Sequence, residues 1–236
     1  MLPFKKLIKA RTTQAFRNSL RSVLQEAKIS RLHNTGRRLA QKVPLPCKLH
    51  FGCGPNIKPG WVNIDLKDTA DIQLDIREPM PFPDESATII YSEHFFEHLD
   101  FLEGQRFLKE GLRVLRPGGL MSIGVPDAGL TLSLFVNGSL QQWDEYQNRF
   151  WIPFWCDTRM HSVNYTFRQE GEHRYAYDYE TLAGSLRTVG FVNIRRRDWT
   201  ADLDSVDRRG GTLYVDAEKP GGNTSGAAAG SSRASG

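Results

Sequence analysis

A chain of 236 residues with net charge +4, 39% hydrophobic and 25% charged, holds enough apolar material for one substantial core and little for a second. Charged residues interrupt every apolar run before the roughly 18 to 20 residues that a membrane span requires, which excludes a helical integral membrane protein. Cys47, Cys53 and Cys156 have neither zinc-ribbon spacing nor an even count, so a disulfide scaffold is excluded too, and a reducing, cytoplasmic setting fits best.

The charge is unevenly spread: residues 1–48 carry 12 Lys and Arg against the single acid Glu26, a balance of +11, and the remaining 188 residues carry −7. Within an arm taken as residues 1–47, Phe16, Leu20, Val23, Leu24 and Ala27 recur at helical spacing, with Arg17, Arg21 and Lys28 on other faces. This predicts an amphipathic basic helix. Its stripe would pack on the main domain, meet an anionic membrane surface or acidic partner, or serve as an Arg-rich mitochondrial targeting segment. Gly36 and the prolines Pro44 and Pro46 are expected to end the arm.

From Lys48 to about residue 219 short apolar strands alternate with helical segments, the pattern of an α/β domain with a mostly parallel sheet. Strands are expected at residues 49–51, 61–65, 71–74, 88–91 and 120–125, and final strands at 191–196 and 212–217. Helical spacing covers 101–115, closed by Arg116-Pro117-Gly118-Gly119, and 179–189, ended by Gly190. Only eight residues, 53 to 60, separate the first two strands, whereas a parallel crossover usually needs about a dozen with a helix. The first helix must shrink to a turn, and that flank of the fold should be open. Residues 137–179 hold eleven aromatics. Residues 220–236 are mostly Gly, Ala and Ser and are expected to form an unpacked tail.

Gly52-Cys53-Gly54 directly follows the first expected strand, where open α/β sheets bind ligands. Glycine lets a ligand approach the backbone closely, though a plain tight turn gives the same letters. Asp65 ends the second strand, where a carboxylate accepts both hydrogen bonds of a ribose diol, and Asp75 follows the third, within reach of an adenine amino group. A nicotinamide dinucleotide would ask for the fuller G-x-G-x-x-G, and Pro55, Asn56 and Ile57 stand there instead. An adenosyl cofactor without phosphates needs no such cradle.

Leu49-His50-Phe51-Gly52-Cys53-Gly54, Asp65, residues 74–84, Glu97-His98-Leu99 and Arg113-Val114-Leu115-Arg116-Pro117-Gly118-Gly119 resemble the class I S-adenosylmethionine-dependent methyltransferases. The likeness is greatest to small type 11-like members linked to bacterial surface-glycan assembly. It spans roughly residues 48–219 and implies a Rossmann-like α/β fold, a mostly parallel seven-stranded sheet with an antiparallel last strand. It also implies Gly52, Cys53 and Gly54 beside the methionine part, Asp65 on the ribose, Asp75 and Ile76 at the adenine, and Ser92 to His94 facing the methyl group.

The activity implied is methyl transfer from S-adenosylmethionine to an oxygen or nitrogen acceptor, a small molecule, glycan or glycolipid. Partners would be that acceptor and, through the arm, the anionic inner membrane surface; no nucleic acid is expected. Insertions such as 137–179 form the acceptor side of such enzymes, which makes Trp151 and Trp155 acceptor contacts unless the aromatics merely build a small core of their own. His94, His161 and His173 are the candidate catalytic bases, with a solvated loop histidine the plainer reading of the last two. The alternatives are a catalytically silent cofactor-binding module and a zinc hydrolase, since His94-Phe95-Phe96-Glu97-His98 matches H-x-x-E-H. No third ligand is evident in the sequence, so no metal is expected, and His98 reads as a partly buried histidine bonded to backbone.

Overall fold

The computed structural model describes residues 12–149 and 152–222. Residues 1–11 of the expected arm, Phe150, Trp151 with its expected acceptor role, and the expected tail from Asn223 lie outside the described residues.

Seven strands form one sheet: β1 (Cys47–Phe51), β2 (Val62–Asp65), β3 (Ile72–Gln73), β4 (Ala87–Glu93), β5 (Leu115–Pro126), β6 (Val192–Arg197) and β7 (Thr212–Glu218). Their order is β3-β2-β1-β4-β5-β7-β6. The strands from β3 to β5 are parallel, and β7 runs antiparallel to both neighbours. The chain leaves β1 toward β2 on one side and returns to β4 on the other, so a crevice opens at the carboxyl ends of β1 and β4.

The helices are α1 (Gln14–Ala40), α2 (Phe101–Val114), α3 (Ala128–Asn137), α4 (Leu140–Arg149), α5 (Arg159–Arg168) and α6 (Tyr179–Val189). No helix among the described residues is long and apolar enough to cross a membrane. Asp100 starts α2 with a capping box to Glu103, and Phe107, Leu108, Gly111 and Val114 recur on its buried side. They meet Phe51, Ile90 and Met121 of the sheet. With Leu49, Ile64, Ile123 and Val215 these residues form a core that excludes water almost completely.

Strand alternation sends His50, Asn63, Tyr91, Ser122, Tyr214 and Asp216 to the opposite face. Among the described residues no α-helix covers it; residues 52–61 and 198–210 do. Tyr91 donates to Asp204 at 3.1 Å, and Arg197 donates to Asp204 at 2.7 Å, to Asp216 at 3.1 Å and to Ser122 at 3.1 Å. Lys58 sets its ammonium 4.7 Å from the Tyr91 ring centre and donates to the Leu203 carbonyl, while Asn56 donates to Ser205. The short first crossover is therefore as expected, but the open flank is not. A loop from the far end of the chain fills the place of the missing helix.

The arm also differs from expectation. Gly36 lies inside α1 rather than ending it, and α1 packs by its second half, burying Ile29, Gly36 and Ala40. A Cβ on Gly36 would stand 2.1 Å from the Gln73 carbonyl oxygen of β3, so only glycine permits this approach. Phe16, at 56% exposure, Leu20, Val23 and Leu24 face solvent.

Candidate cofactor and acceptor site

At the carboxyl end of β1 the backbone turns through Gly52, φ 67°, and Gly54, φ 51°. The Gly54 amide donates to Asp65 Oδ2 at 2.8 Å and the Lys67 amide to Oδ1 at 3.0 Å, so Asp65 ties the loop to the end of β2. Each oxygen keeps a further lone pair. Cys53 is buried, and burial, reinforced by Asp65 and Asp71, pushes its thiol up to about 12. It fills space as a thiol. The Phe95 side chain lies against Gly52, where a Cβ would come within 2.4 Å of it; a Cβ on Gly54 would meet nothing nearer than Lys67 Nζ at 4.0 Å.

After β3, Asp75 is held by Arg77, whose Nε and amide donate to Oδ1 at 2.9 and 3.0 Å and whose terminal nitrogen donates to Oδ2 at 2.7 Å. Burial raises its carboxyl, but the hydrogen bonds from Arg77 outweigh it and hold the group below the usual range. Arg77 reaches Glu26 of α1 as well, at 2.7 Å, and the Asp75 amide donates to His33 Nδ1 at 3.2 Å. The arm helix thus walls this end of the crevice, and Asp75 meets any ligand with its carboxylate already bonded. Ile76 lines a cavity of about 260 Å³ with Pro79, Met80, Arg106 and Phe107.

At the mouth of β4 the Ser92 hydroxyl is fully buried and has no partner among the described residues. His94, φ 51°, donates its amide to the Gly124 carbonyl at 2.8 Å, and a 3-10 turn over Phe96–His98 follows. That turn aims Glu97 inward. Its side chain is 3% exposed, neither carboxylate oxygen has a hydrogen-bond partner among the described residues, and burial pushes the group up to about 8. Around Oε1 stand His94 Nδ1 at 3.7 Å, His173 Nε2 at 3.8 Å and His98 Nε2 at 4.0 Å. All three imidazoles are held below the usual histidine range, chiefly by burial.

His173 arrives from a distant segment because the amides of Arg174 and Tyr175 both donate to the Glu97 carbonyl, at 2.8 and 3.2 Å. Two sequence expectations need correction here. His173 is a buried member of a cluster, 7% exposed, rather than a solvated loop residue, and it supplies the third metal-type ligand that the sequence did not show. His98 accords with its plainer reading, its Nδ1 donating to the Glu172 carbonyl at 3.1 Å. His161 stays outside: it is 54% exposed on α5 and pairs with Asp157 at 2.7 Å.

The sequence reading missed Phe95 and Thr212. Thr212 Oγ1 accepts from His94 Nε2 at 2.8 Å while donating to the Arg208 carbonyl at 2.8 Å. The nearest sequence signal was H-x-x-E-H itself. Thr212 also lines a cleft of about 780 Å³ with Asp127, Arg196, Trp199, Arg209 and Tyr214. Among the described residues the aromatic insertion does not line it. Trp143 and Tyr146 are instead buried in a core of α3 to α5, and Trp155 is half exposed against Tyr165.

With this geometry in view, residues 49–123 match the family described as "Methyltransferase domain". No curated protein matches the sequence. Similar solved structures include one described as a possible exported protein from Bordetella parapertussis, at 17% identity and TM-score 0.47, covering 80% of this chain and 67% of the other. A possible histamine N-methyltransferase from Thermotoga maritima is 15% identical with TM-score 0.43, covering 86% and 98%. A methyltransferase from Archaeoglobus fulgidus is 16% identical with TM-score 0.45, covering 78% and 93%.

The sheet order defines a Rossmann-like α/β fold, and residues 49–123 are similar to a methyltransferase domain, which points to S-adenosylmethionine as the cofactor. The residues present fit that group. The loop is open on the Gly54 side, Asp65 retains acceptor capacity, and the unpartnered Ser92 hydroxyl stands at the mouth of β4.

Proposed function

We propose that the chain transfers a methyl group from S-adenosylmethionine to an oxygen or nitrogen nucleophile on a glycan or glycolipid acceptor. The observation carrying this reading is the tie between Gly54 and Asp65 at the carboxyl ends of β1 and β2, inside the matched segment. When bound, the cofactor supplies an electrophilic methyl on a sulfonium. The chain's own residues then bind and orient: Asp65 accepts from the ribose hydroxyls, Ser92 offers its free hydroxyl, and Phe95 sets an aromatic face beside Gly52 that suits a cation.

Positioning carries most of the acceleration, since displacement needs the nucleophile about 3 to 3.5 Å from the methyl carbon. The cleft beside Thr212 is where the acceptor belongs. Arg196, Arg209 and Asp127 offer hydrogen bonds to hydroxyl groups, and Trp199 and Tyr214 offer ring faces for a sugar. For a hydroxyl acceptor the candidate base is His94, which reaches the cleft through Thr212; His161 is set aside because it faces solvent.

Calorimetry with S-adenosylhomocysteine tests the reading. Asp65→Asn, which keeps one oxygen for Gly54, should weaken binding by about 1.5 to 3 kcal/mol, the scale of hydrogen bonds to a charged group. Unchanged affinity in folded protein, or binding of a nicotinamide dinucleotide in its place, would sink it.

We also propose that the exposed stripe of α1, with Arg17 and Arg21 beside it, meets an anionic membrane surface and holds the enzyme near lipid-linked acceptors.

A further inference from the structure

We infer that Glu97, His98 and His173 form a binding site for a divalent first-row transition ion. The ligand atoms of these three residues lie within 4.8 Å of one another. Glu97 is the second, independent sign. Its carboxylate is buried, lacks any hydrogen bond among the described residues, and is aimed into the cluster.

The spacing decides between an ion and a hydrogen-bonded cluster. Separations of 3.8 and 4.0 Å from Glu97 Oε1 to the two imidazole nitrogens are too long for hydrogen bonds. Ligand atoms about 2.0 to 2.1 Å from a tetrahedral zinc stand roughly 3.3 to 3.5 Å apart, so each separation from Glu97 would shorten by about half an ångström on binding.

The other nitrogen of each ring supports the same answer. His98 Nδ1 faces the Glu172 carbonyl at 3.1 Å and His173 Nδ1 faces the Thr166 carbonyl at 2.7 Å. A carbonyl only accepts, so each Nδ1 carries the hydrogen and each Nε2 is left to present its lone pair toward Glu97. Lone pairs converging on a carboxylate repel it unless a proton or a cation lies between them, and 3.8 and 4.0 Å are too long for a shared proton. Ring N–H groups anchored on backbone carbonyls are the outer-shell support that metal-bound histidines use. His94 repeats the arrangement: Thr212 gives its own hydrogen to Arg208 and accepts from Nε2, which turns Nδ1 toward Glu97 at 3.7 Å.

Two imidazoles and one carboxylate suit zinc or a neighbouring transition ion and leave a coordination position open. A cavity of only about 10 Å³ beside Glu97 and His173 has room for a single small species and none for an organic ligand. On the methyl-transfer reading above, the open position holds a water, the one small species that the cavity admits. The binding of the ion does not depend on that reading.

The test is metal uptake by the full chain, stripped with chelator and titrated with zinc in the absence of S-adenosylmethionine, with cobalt as an optical probe. One equivalent should bind, and cobalt should give a visible absorption band. His98→Ala and His173→Ala should each weaken zinc binding by at least about tenfold, because losing a ligand costs no less than losing an outer-shell partner. His161→Ala should not weaken it. Circular dichroism reports whether the variants fold. His98 is the more exposed ligand, so its variant decides the question if His173→Ala does not fold. The site is overturned if folded protein takes up no stoichiometric zinc, or if the folded ligand variants bind as the parent does. Zinc uptake without binding of S-adenosylhomocysteine would remove the methyl-transfer reading and keep the site; the reverse would remove the site alone.

Discussion

Ser92 and His50 stand on adjacent strands, both fully buried, and differ in whether a partner is at hand. The Ser92 hydroxyl has none, so Ser92→Ala should leave the melting temperature unchanged or raise it, while weakening S-adenosylhomocysteine binding by about 0.5 to 1.5 kcal/mol. Thermal melts and calorimetry on one preparation check both halves. His50 donates to Asn63 Oδ1 at 3.1 Å, and burial, helped by Lys58, lowers its pKa to about 4. Folded protein therefore holds His50 neutral where the unfolded chain, with a pKa near 6.5, is protonated. Its contribution is whole above pH 6.5 and is lost as the pH falls toward 4, at up to about 1.4 kcal/mol per pH unit. Urea unfolding between pH 7.5 and 4.5 should show this slope, and His50→Gln should flatten it. Of these groups, Gly52, Asp65 and Ser92 could be singled out from sequence because each closes a strand or a strand-end turn. His173 was a candidate base, but its place beside Glu97 was not legible, because the amide contacts that bring it there depend on tertiary folding across more than seventy residues.

Helix α1 has two halves with different work. The second is bound to β3 through Gly36, so Gly36→Val should destabilise the fold by about 1 to 3 kcal/mol, since the obstacle is a backbone carbonyl that cannot step aside. The first half presents its apolar stripe to solvent. Removing residues 1–24 should abolish sedimentation with anionic vesicles and spare thermal stability and cofactor binding. Removing residues 1–42 should lower both, because Glu26 and His33 go with it. Vesicle binding should also weaken as salt screens the arm's charge. Periodicity predicts such a helix without saying which half docks, since docking turns on one close contact at Gly36. The same limit hid α3 and, under dense aromatics, α4 and α5, whereas α6 was legible to the residue from its spacing and from Gly190.

Across the whole molecule, the two faces of the sheet are stabilised by different physics. One is an apolar core against helices; the other holds Arg197, 12% exposed, between Asp204 and Asp216. Arg197→Met should cost about 3 to 5 kcal/mol by leaving the buried Asp204 without its cation, while Asp216 keeps Arg195, and Arg197→Met with Asp204→Leu should recover part of it. Denaturant titration of the two variants separates these outcomes. The alternation of strands and helices made the fold class and strand positions legible, and the eight-residue gap revealed the missing helix. What takes its place was not legible, because loop 198–210 carries no periodic signal and its partners lie far away in sequence.

That loop gives the order of synthesis a physical consequence. As the chain leaves a ribosome, β1, β2 and β4 emerge long before the segment around Asp204 that must cover one of their faces. Had that face been apolar, a half-made sheet would show neighbouring nascent chains a sticky surface for the whole interval. His50, Asn63 and Tyr91 make it wettable instead, so the late loop finds its place by replacing water at polar groups.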